Sequence, residues 1–301
     1  MRVFMERDLE HENRVLKDKI RDLRRENRFL KRLGGHDADS LVGMLKRRGM
    51  KIFRMNPVND LLLPVTASGT IQDGFYERLH HYSFRLFLRD LIRHKEDMGV
   101  PDLTRYCSAD VAAKYLHFLV DAGAVEEHGP ERFRATRHVK SFGGTLEWYV
   151  YRLLRDEFAA PALYGVRFKG TEKSGDYDVL ADIEGRLIYL EVKSSPPRGI
   201  EARQVSAFLD RVEELIPHGA IFFDDTELRM KDKLVPIFEE DLRHRAEQRH
   251  KKPPRTVRLF NEIFLFGGDL YLMNSRKSVA ENLSVCVRDM FRKWKEKTGL
   301  P

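Results

Sequence analysis

The pattern of apolar and polar residues changes period several times along the 301-residue chain. In residues 1–33, leucine recurs every seventh position, at Leu9, Leu16, Leu23 and Leu30. With these as d positions, the a positions are Asn13, Ile20 and Asn27. Leucine at d with asparagine at a is the pattern of a parallel two-stranded coil, in which a buried Asn fixes register at a cost in stability. The g–e′ pairs Glu12/Lys17 and Glu26/Lys31 attract, whereas Lys19/Arg24 repel. A leucine-zipper-like coiled coil over 1–34, making the protein a homodimer, is therefore expected; a lone solvated helix has the same charge density. Gly34 and Gly35 end the helix.

Residues 35–73 mix short apolar runs with Pro and Gly and form a connector that contains a short helix and one or two strands, or is packed without them. From Phe75, FYERLHHYSFRLFLRDLIRH carries a helical stripe through Leu79, Tyr82, Leu86 and Leu91. VPDLTRYC predicts a short second helix. SADVAAKYLHFLVDAGA predicts a third, capped by Ser108, striped through Val111, Tyr115, Leu119 and Val120, and stopped near Gly123. VEEHGPERFRAT then reads as two short strands around a Gly-Pro turn. Three helices and a hairpin resemble a winged helix, so 74–140 is expected to be one, with the helix at 108–122 for the major groove. That helix offers Lys114 and His117. The wing and its exit offer Arg132, Arg134, Arg137, His138 and Lys140 to phosphates. Winged helices also serve as protein-interaction modules.

From residue 141 strands and helices alternate. SFGGTLEWYVYRLLRDEF, EARQVSAFLDRVEELI, MKDKLVPIFEEDLRHRAEQ and SVAENLSVCVRDMFRKW read as helices. ALYGVRFKG, DYDVLADI, RLIYLEVKSS and GAIFFDD read as strands, and NEIFLFGGDLYLMN as a strand pair or one bent strand. This predicts a three-layer α/β domain over 141–301 around a mixed sheet. HRAEQRHKKPPR, at 244–255, reads as a basic, proline-broken loop in which Lys251 and Lys252 can meet phosphates.

Composition narrows the partners. The length fits about two domains of roughly 150 residues. Hydrophobic residues, at 42%, suffice for real cores. A net charge of +7 with 34% charged residues favours polyanions. No run approaches the roughly 18 apolar residues of a membrane span. MRVFMERDLEHENR lacks the apolar centre of a signal peptide. Cys107 and Cys286 match no zinc spacing. A soluble, reduced, cytoplasmic protein without a membrane partner is expected.

The chemistry concentrates in DYDVLADIEGRLIYLEVKSS, two apolar strands hinged at Glu184 and Gly185 but interrupted by charge. Strand alternation puts Glu191 and Lys193 on one face with Leu187 and Tyr189, and Ile188, Leu190 and Val192 on the other. It also puts Asp176, Asp178, Leu180 and Asp182 on one face, with Asp182 as a turn-side acid. Carboxylates in a core strand are costly unless paired or bound to metal. Two acids beside a lysine can hold Mg²⁺, which is usually bound by one or two carboxylates. The lysine can then orient a water or take up its proton. Asp176 in place of Asp178, and a surface Glu191–Lys193 salt pair, remain open on the residues alone. Asp224 and Asp225 are read as solvated or structural.

Asp178 followed by Glu191-Val192-Lys193 resembles the PD-(D/E)XK motif of the restriction-endonuclease-like nuclease superfamily. The order GG-x-LE on a helix, then GVRFKG, YDVLA and LEVKSS is similar to archaeal Holliday-junction resolvases. It is nearer still to the nuclease domains of CRISPR ancillary effectors. The resemblance covers roughly residues 141–275, about half of the chain. Tyr177 stands where the motif's proline would be, and the connector is too short for the effectors' sensor domain. The resemblance implies a metal-dependent endonuclease, DNA favoured, with Asp178 and Glu191 holding Mg²⁺ or Mn²⁺ and Lys193 aligning the water. It assigns Glu147, on one helical stripe with Val150 and Leu154, as a further acid from the upstream helix; a first-turn acid also offsets a helix dipole. Gln204 corresponds to the family's downstream Gln, with Phe208 where a Tyr often stands. The rival reading is a nuclease-like scaffold that binds DNA without cutting it.

Overall fold

A computed structural model describes residues 35–170 and 175–298; the expected coiled coil lies outside the described residues. Among the described residues, helices cover both faces of one large mixed sheet, an α/β architecture. The sheet strands are β1 (Lys51–Arg54), β4 (Ala162–Lys169), β5 (Tyr177–Ile183), β6 (Arg186–Lys193) and β7 (Gly219–Asp224). They are joined by β8 (Thr256–Phe260), β9 (Ile263–Phe266) and β10 (Leu270–Asn274), while β2 (Val125–Gly129) and β3 (Arg132–Ala135) form a separate hairpin. Spatially the order is β1-β4-β5-β6-β7-β10-β9-β8. β7 runs parallel to β6 and β10, and the other neighbours are antiparallel.

The helices are α1 (Gly35–Arg47), α2 (Gly69–Leu79), α3 (Tyr82–Arg93) and α4 (Ala109–Asp121). After the hairpin come α5 (Gly143–Asp156), α6 (Ala202–Leu215), α7 (Leu234–Gln248) and α8 (Val279–Thr298). Alternation along β6 sorts the layers as expected. Ile188, Leu190 and Val192 pack in one core with Leu146, Tyr149, Val150 and Leu153 of α5 and Met290 of α8. Leu187 and Tyr189 pack in the other, with Phe208 of α6, Phe238 of α7 and Leu41 and Leu45 of α1. The β5–β6 hairpin closes at Glu184 (φ 51°) and Gly185 (φ 75°), the two positive φ values that a two-residue turn needs to match strand twist. Asp182 is the turn acid expected, accepting the Gly185 N–H at 2.8 Å.

β5 departs from its expected alternation. Tyr177 packs in the α6-side core, yet Val179 packs in the α5-side core. The faces switch at Asp178, so Asp176 and Leu180 do not share a side. β4 switches opposite it: Tyr164 lies in the α5-side core and Val166 in the other, on either side of Gly165 (φ 54°). A left-handed glycine lets the strand coil there without a Cβ clash.

Residues 35–54 supply α1 and the edge strand β1, which pairs with β4. In 74–140 the expected first helix is two helices. His81 has extended backbone (φ −80°, ψ 119°), and Arg85 caps the end of α2 by donating to the Leu79 and His80 carbonyls. α3 buries Phe84, Phe87, Leu88 and Leu91, not a stripe through Tyr82 and Leu86. The expected second helix is a 3₁₀ turn, Val100–Leu103, with Pro101 in its first turn. α4 begins where Ser108 accepts the Val111 N–H, and β2 and β3 follow as an antiparallel hairpin. The apolar residues of this segment join the α5-side core. Residues 244–248 are the last turn of α7, so the basic loop is 249–255, and β8 is a further edge strand.

Candidate active site

The C-terminal end of β6, the start of β5 and the first turns of α5 meet at one place. Glu191, 1% exposed, is the centre of it. Its Oε1 accepts from Lys193 Nζ at 2.7 Å and from the Arg211 guanidinium at 2.6 Å. Its Oε2 accepts from the Tyr189 hydroxyl, which in turn accepts from Arg211 Nε at 2.9 Å. Burial works against the Glu191 charge, but Lys193 and Arg211 outweigh it and hold the carboxyl below its ordinary range. Burial likewise opposes the Lys193 charge, and Glu191 and Asp178 outweigh it, so the ammonium pKa rises. Lys193 is therefore a fixed cation, able to orient a water but not to take up a proton.

Asp178 sits one residue beyond the Val179–Leu190 pair, where the β5–β6 ladder stops. Its Oδ2 accepts the Val192 N–H at 2.7 Å in place of a backbone carbonyl. Burial, then the charge of Glu191, pushes its carboxyl up to about 7 against the pull of Lys193. Glu147 projects from α5 over Gly165: a Cβ on that glycine would lie 3.6 Å from Glu147 Oε2. Burial, then the charges of Asp178, Asp176 and Glu191, pushes Glu147 up to about 9. Thus Glu147, Asp178, Glu191 and Lys193 do come together. Asp176 instead turns to the sheet edge, bound by Arg54 at 2.5 Å and by Arg167.

Among the described residues no group of three or more His, Cys, Asp or Glu side chains is arranged to hold a metal ion. A hard divalent ion with retained waters needs only one or two carboxylates. Asp178 and Glu147 supply two such carboxyls: burial first, and then neighbouring acids, raise both pKa values, and a cation there would relieve the acid–acid part. Glu191 already has three donors.

A cleft of about 550 Å³ opens beside Glu191 and Lys193, which line it with Gln204 and Arg211 among others; Asp178 and Glu147 are not in its lining. Gln204 is thus at the site, but its Oε1 caps α6 by accepting the Glu201 N–H at 2.9 Å. Arg211 was not legible in advance, because nothing in EARQVSAFLDRVEELI marks which polar residue of the helix faces the sheet. Asp224 and Asp225 are fully buried, not solvated. Asp225 binds Arg85 at 3.0 Å and Arg89 at 2.5 Å, tying α3 to the end of β7. Asp224, in register with Lys193, has both carboxylate oxygens buried without a hydrogen-bond partner, and burial pushes it up to about 8.

The surface cations are more dispersed. Lys114, His117 and Lys140 are exposed, as are Lys251 and Lys252. Arg132 is bound to Asp97 at 2.8 Å, Arg134 to Glu126 at 2.7 Å, and Arg137 donates to the Leu63 and Val58 carbonyls. No helix among the described residues is long and apolar enough to cross a membrane.

No family model matches the chain, and no curated protein does. Among solved structures it is similar to Can2 from Sulfobacillus thermosulfidooxidans in complex with cyclic tetra-adenylate, with a TM-score of 0.42, 13% identity, and 72% of this chain and 56% of that one covered. It is also similar to protein VC1899 from Vibrio cholerae, with a TM-score of 0.40, 14% identity, and 75% and 57% covered. The chain spans a little over half the length of each.

Proposed function

We propose that the protein is a metal-dependent nuclease that hydrolyses phosphodiester bonds, with DNA the favoured substrate. The observation that carries this is the convergence of Glu147 and Asp178, two buried carboxyls crowded by other acids, on a Glu191–Lys193 pair that lines an open cleft. Asp178 and Glu147 would hold Mg²⁺ or Mn²⁺, with Glu191 nearby. A bound divalent ion lowers the pKa of water and offsets phosphate charge. Lys193, kept as an ammonium by Glu191, orients the attacking water and faces the phosphate. Arg211 and Tyr189 hold Glu191 so that Lys193 keeps one position. Without a cation, Glu147 holds a proton at neutral pH and Asp178 does so in part.

Read as a winged helix with its β2–β3 hairpin as the wing, the segment 74–140 would add phosphate contacts through Lys114 and Lys140, and the loop at 249–255 would add more through Lys251 and Lys252. A zipper at 1–34 would pair two copies so that both strands of a duplex meet a site. The competing reading, a scaffold that binds without cutting, is favoured by one fact: Glu191 is already saturated by donors. A cleavage panel separates them. Single- and double-stranded DNA and RNA are incubated with Mg²⁺, Mn²⁺ or chelator, beside Lys193→Ala. Cutting that needs metal and vanishes in the variant supports the nuclease; intact strands in every lane sink it.

A further inference from the structure

The open edge of the sheet carries cations that the chemistry above does not use. β1 pairs with β4 in the register Lys51↔Lys169, Ile52↔Phe168, Arg54↔Arg167, with an irregularity between Ile52 and Arg54. Two of these pairs set like charges directly opposite, which costs stability in a sheet. Phe168 packs in the α6-side core, so Lys169 and Arg167, with their partners, face the α5 side. Asp176 binds both arginines and Asp60 acts on Arg167 from further off, two acids against the four cations Lys51, Arg54, Arg167 and Lys169, and Arg54 Nε is buried without a hydrogen-bond partner. Phe53 projects from the irregularity, 64% exposed, with Lys169 Nζ 5.5 Å from its ring centre.

This row leads to the carboxylates. Two residues on from Arg167 is Gly165, beneath Glu147, and two residues on from Asp176 is Asp178. Cations interleaved with an exposed aromatic ring are what a single strand needs: charge for successive phosphates and a platform for a base. Lysines on an edge strand also deter edge-to-edge pairing. That role has no use for an exposed phenyl ring, or for two arginines beside the lysines.

We propose that the β1–β4 edge binds single-stranded nucleic acid, with Arg54, Arg167 and the lysines on phosphates and Phe53 stacked on a base. It rests on the nuclease reading for its direction, because the strand runs from this edge to Asp178 and Glu147.

The test is equilibrium binding by fluorescence anisotropy of a labelled oligothymidylate and its oligouridylate counterpart, in chelator so that nothing is cut. Arg167→Gln and Lys169→Gln should each weaken binding roughly 3- to 10-fold and lower the log–log salt slope by about 0.7. Phe53→Ala should weaken it roughly 5- to 20-fold without changing the slope. Asp176→Asn should bind at least as tightly as the parent, whereas a merely structural ion pair would make it fail alongside Arg167→Gln. Melting curves equal to the parent's establish that the variants are folded. Parent protein that binds neither strand, or variants that bind as it does, would overturn the proposal. Binding with these variant effects in a protein that never cuts would uphold it while removing the nuclease reading.

Discussion

Arg211 reaches from α6 to Glu191 Oε1 at 2.6 Å, and its Nε holds the Tyr189 hydroxyl at 2.9 Å. A helix behind the sheet thus clamps the acid that holds Lys193. Removing one member of a buried, hydrogen-bonded charge network leaves the rest undercompensated. Arg211→Met should therefore cost about 2–4 kcal/mol by urea denaturation and lower any cleavage rate, with Arg211→Lys recovering part of both. Full stability in the methionine variant would show that Lys193 alone suffices for Glu191.

Glu147 and Asp178 keep protons in the folded chain up to about 9 and about 7, against ordinary values of 4.5 and 3.8. A folded state that binds more protons than the unfolded chain is favoured by acid, so stability in chelator should fall as pH rises from about 4 towards about 9. Glu147→Gln removes the larger part of that loss. It should melt like the parent near pH 5 and be more stable near pH 9, by about 1–3 kcal/mol. Parallel pH–melting profiles for the two proteins would contradict the crowding of carboxylates described above.

Asp225 is fully buried between Arg85, itself 1% exposed, and Arg89. Asp225→Asn leaves a buried guanidinium without its counter-charge and should cost about 3–5 kcal/mol in chemical denaturation. Proteolysis should then open the α3 contact before the sheet. An asparagine variant as stable as the parent would mean that the carbonyls of Leu79 and His80 suffice for Arg85.

Gly165 combines a φ of 54° with a Cβ position only 2.6 Å from Pro57. Gly165→Ala should cost about 1–3 kcal/mol. Because Glu147 lies over the same atom, activity should fall further than stability does. A variant with parental turnover would separate this glycine from the site.

Much of the sheet was legible because β-strand alternation is a local rule: Ile188, Leu190 and Val192 against Leu187 and Tyr189 divide as their sequence positions require. Where a distant partner decides, the pattern failed. The reversal at Asp178 depends on Gly165 in another strand and on the Val192 N–H. The break at His81 depends on Arg85 capping α2, and the burial of Asp225 on α3 arriving beside β7. Glu147, Asp178, Glu191 and Lys193 were each readable as charges set in apolar patterns. Arg211 was not, since one arginine among the polar residues of an amphipathic helix carries no mark of the acid it faces.

The claim on which the rest depends is that Glu147 and Asp178 exchange protons for a divalent cation. Calorimetric titration of Mn²⁺ into the 301-residue chain near neutral pH, repeated in two buffers of different ionisation enthalpy, measures it directly. The expected result is one site per chain that releases roughly one to two protons, tightens as pH rises and is lost in Asp178→Asn. No binding, or binding without proton release and indifferent to Asp178, would contradict it.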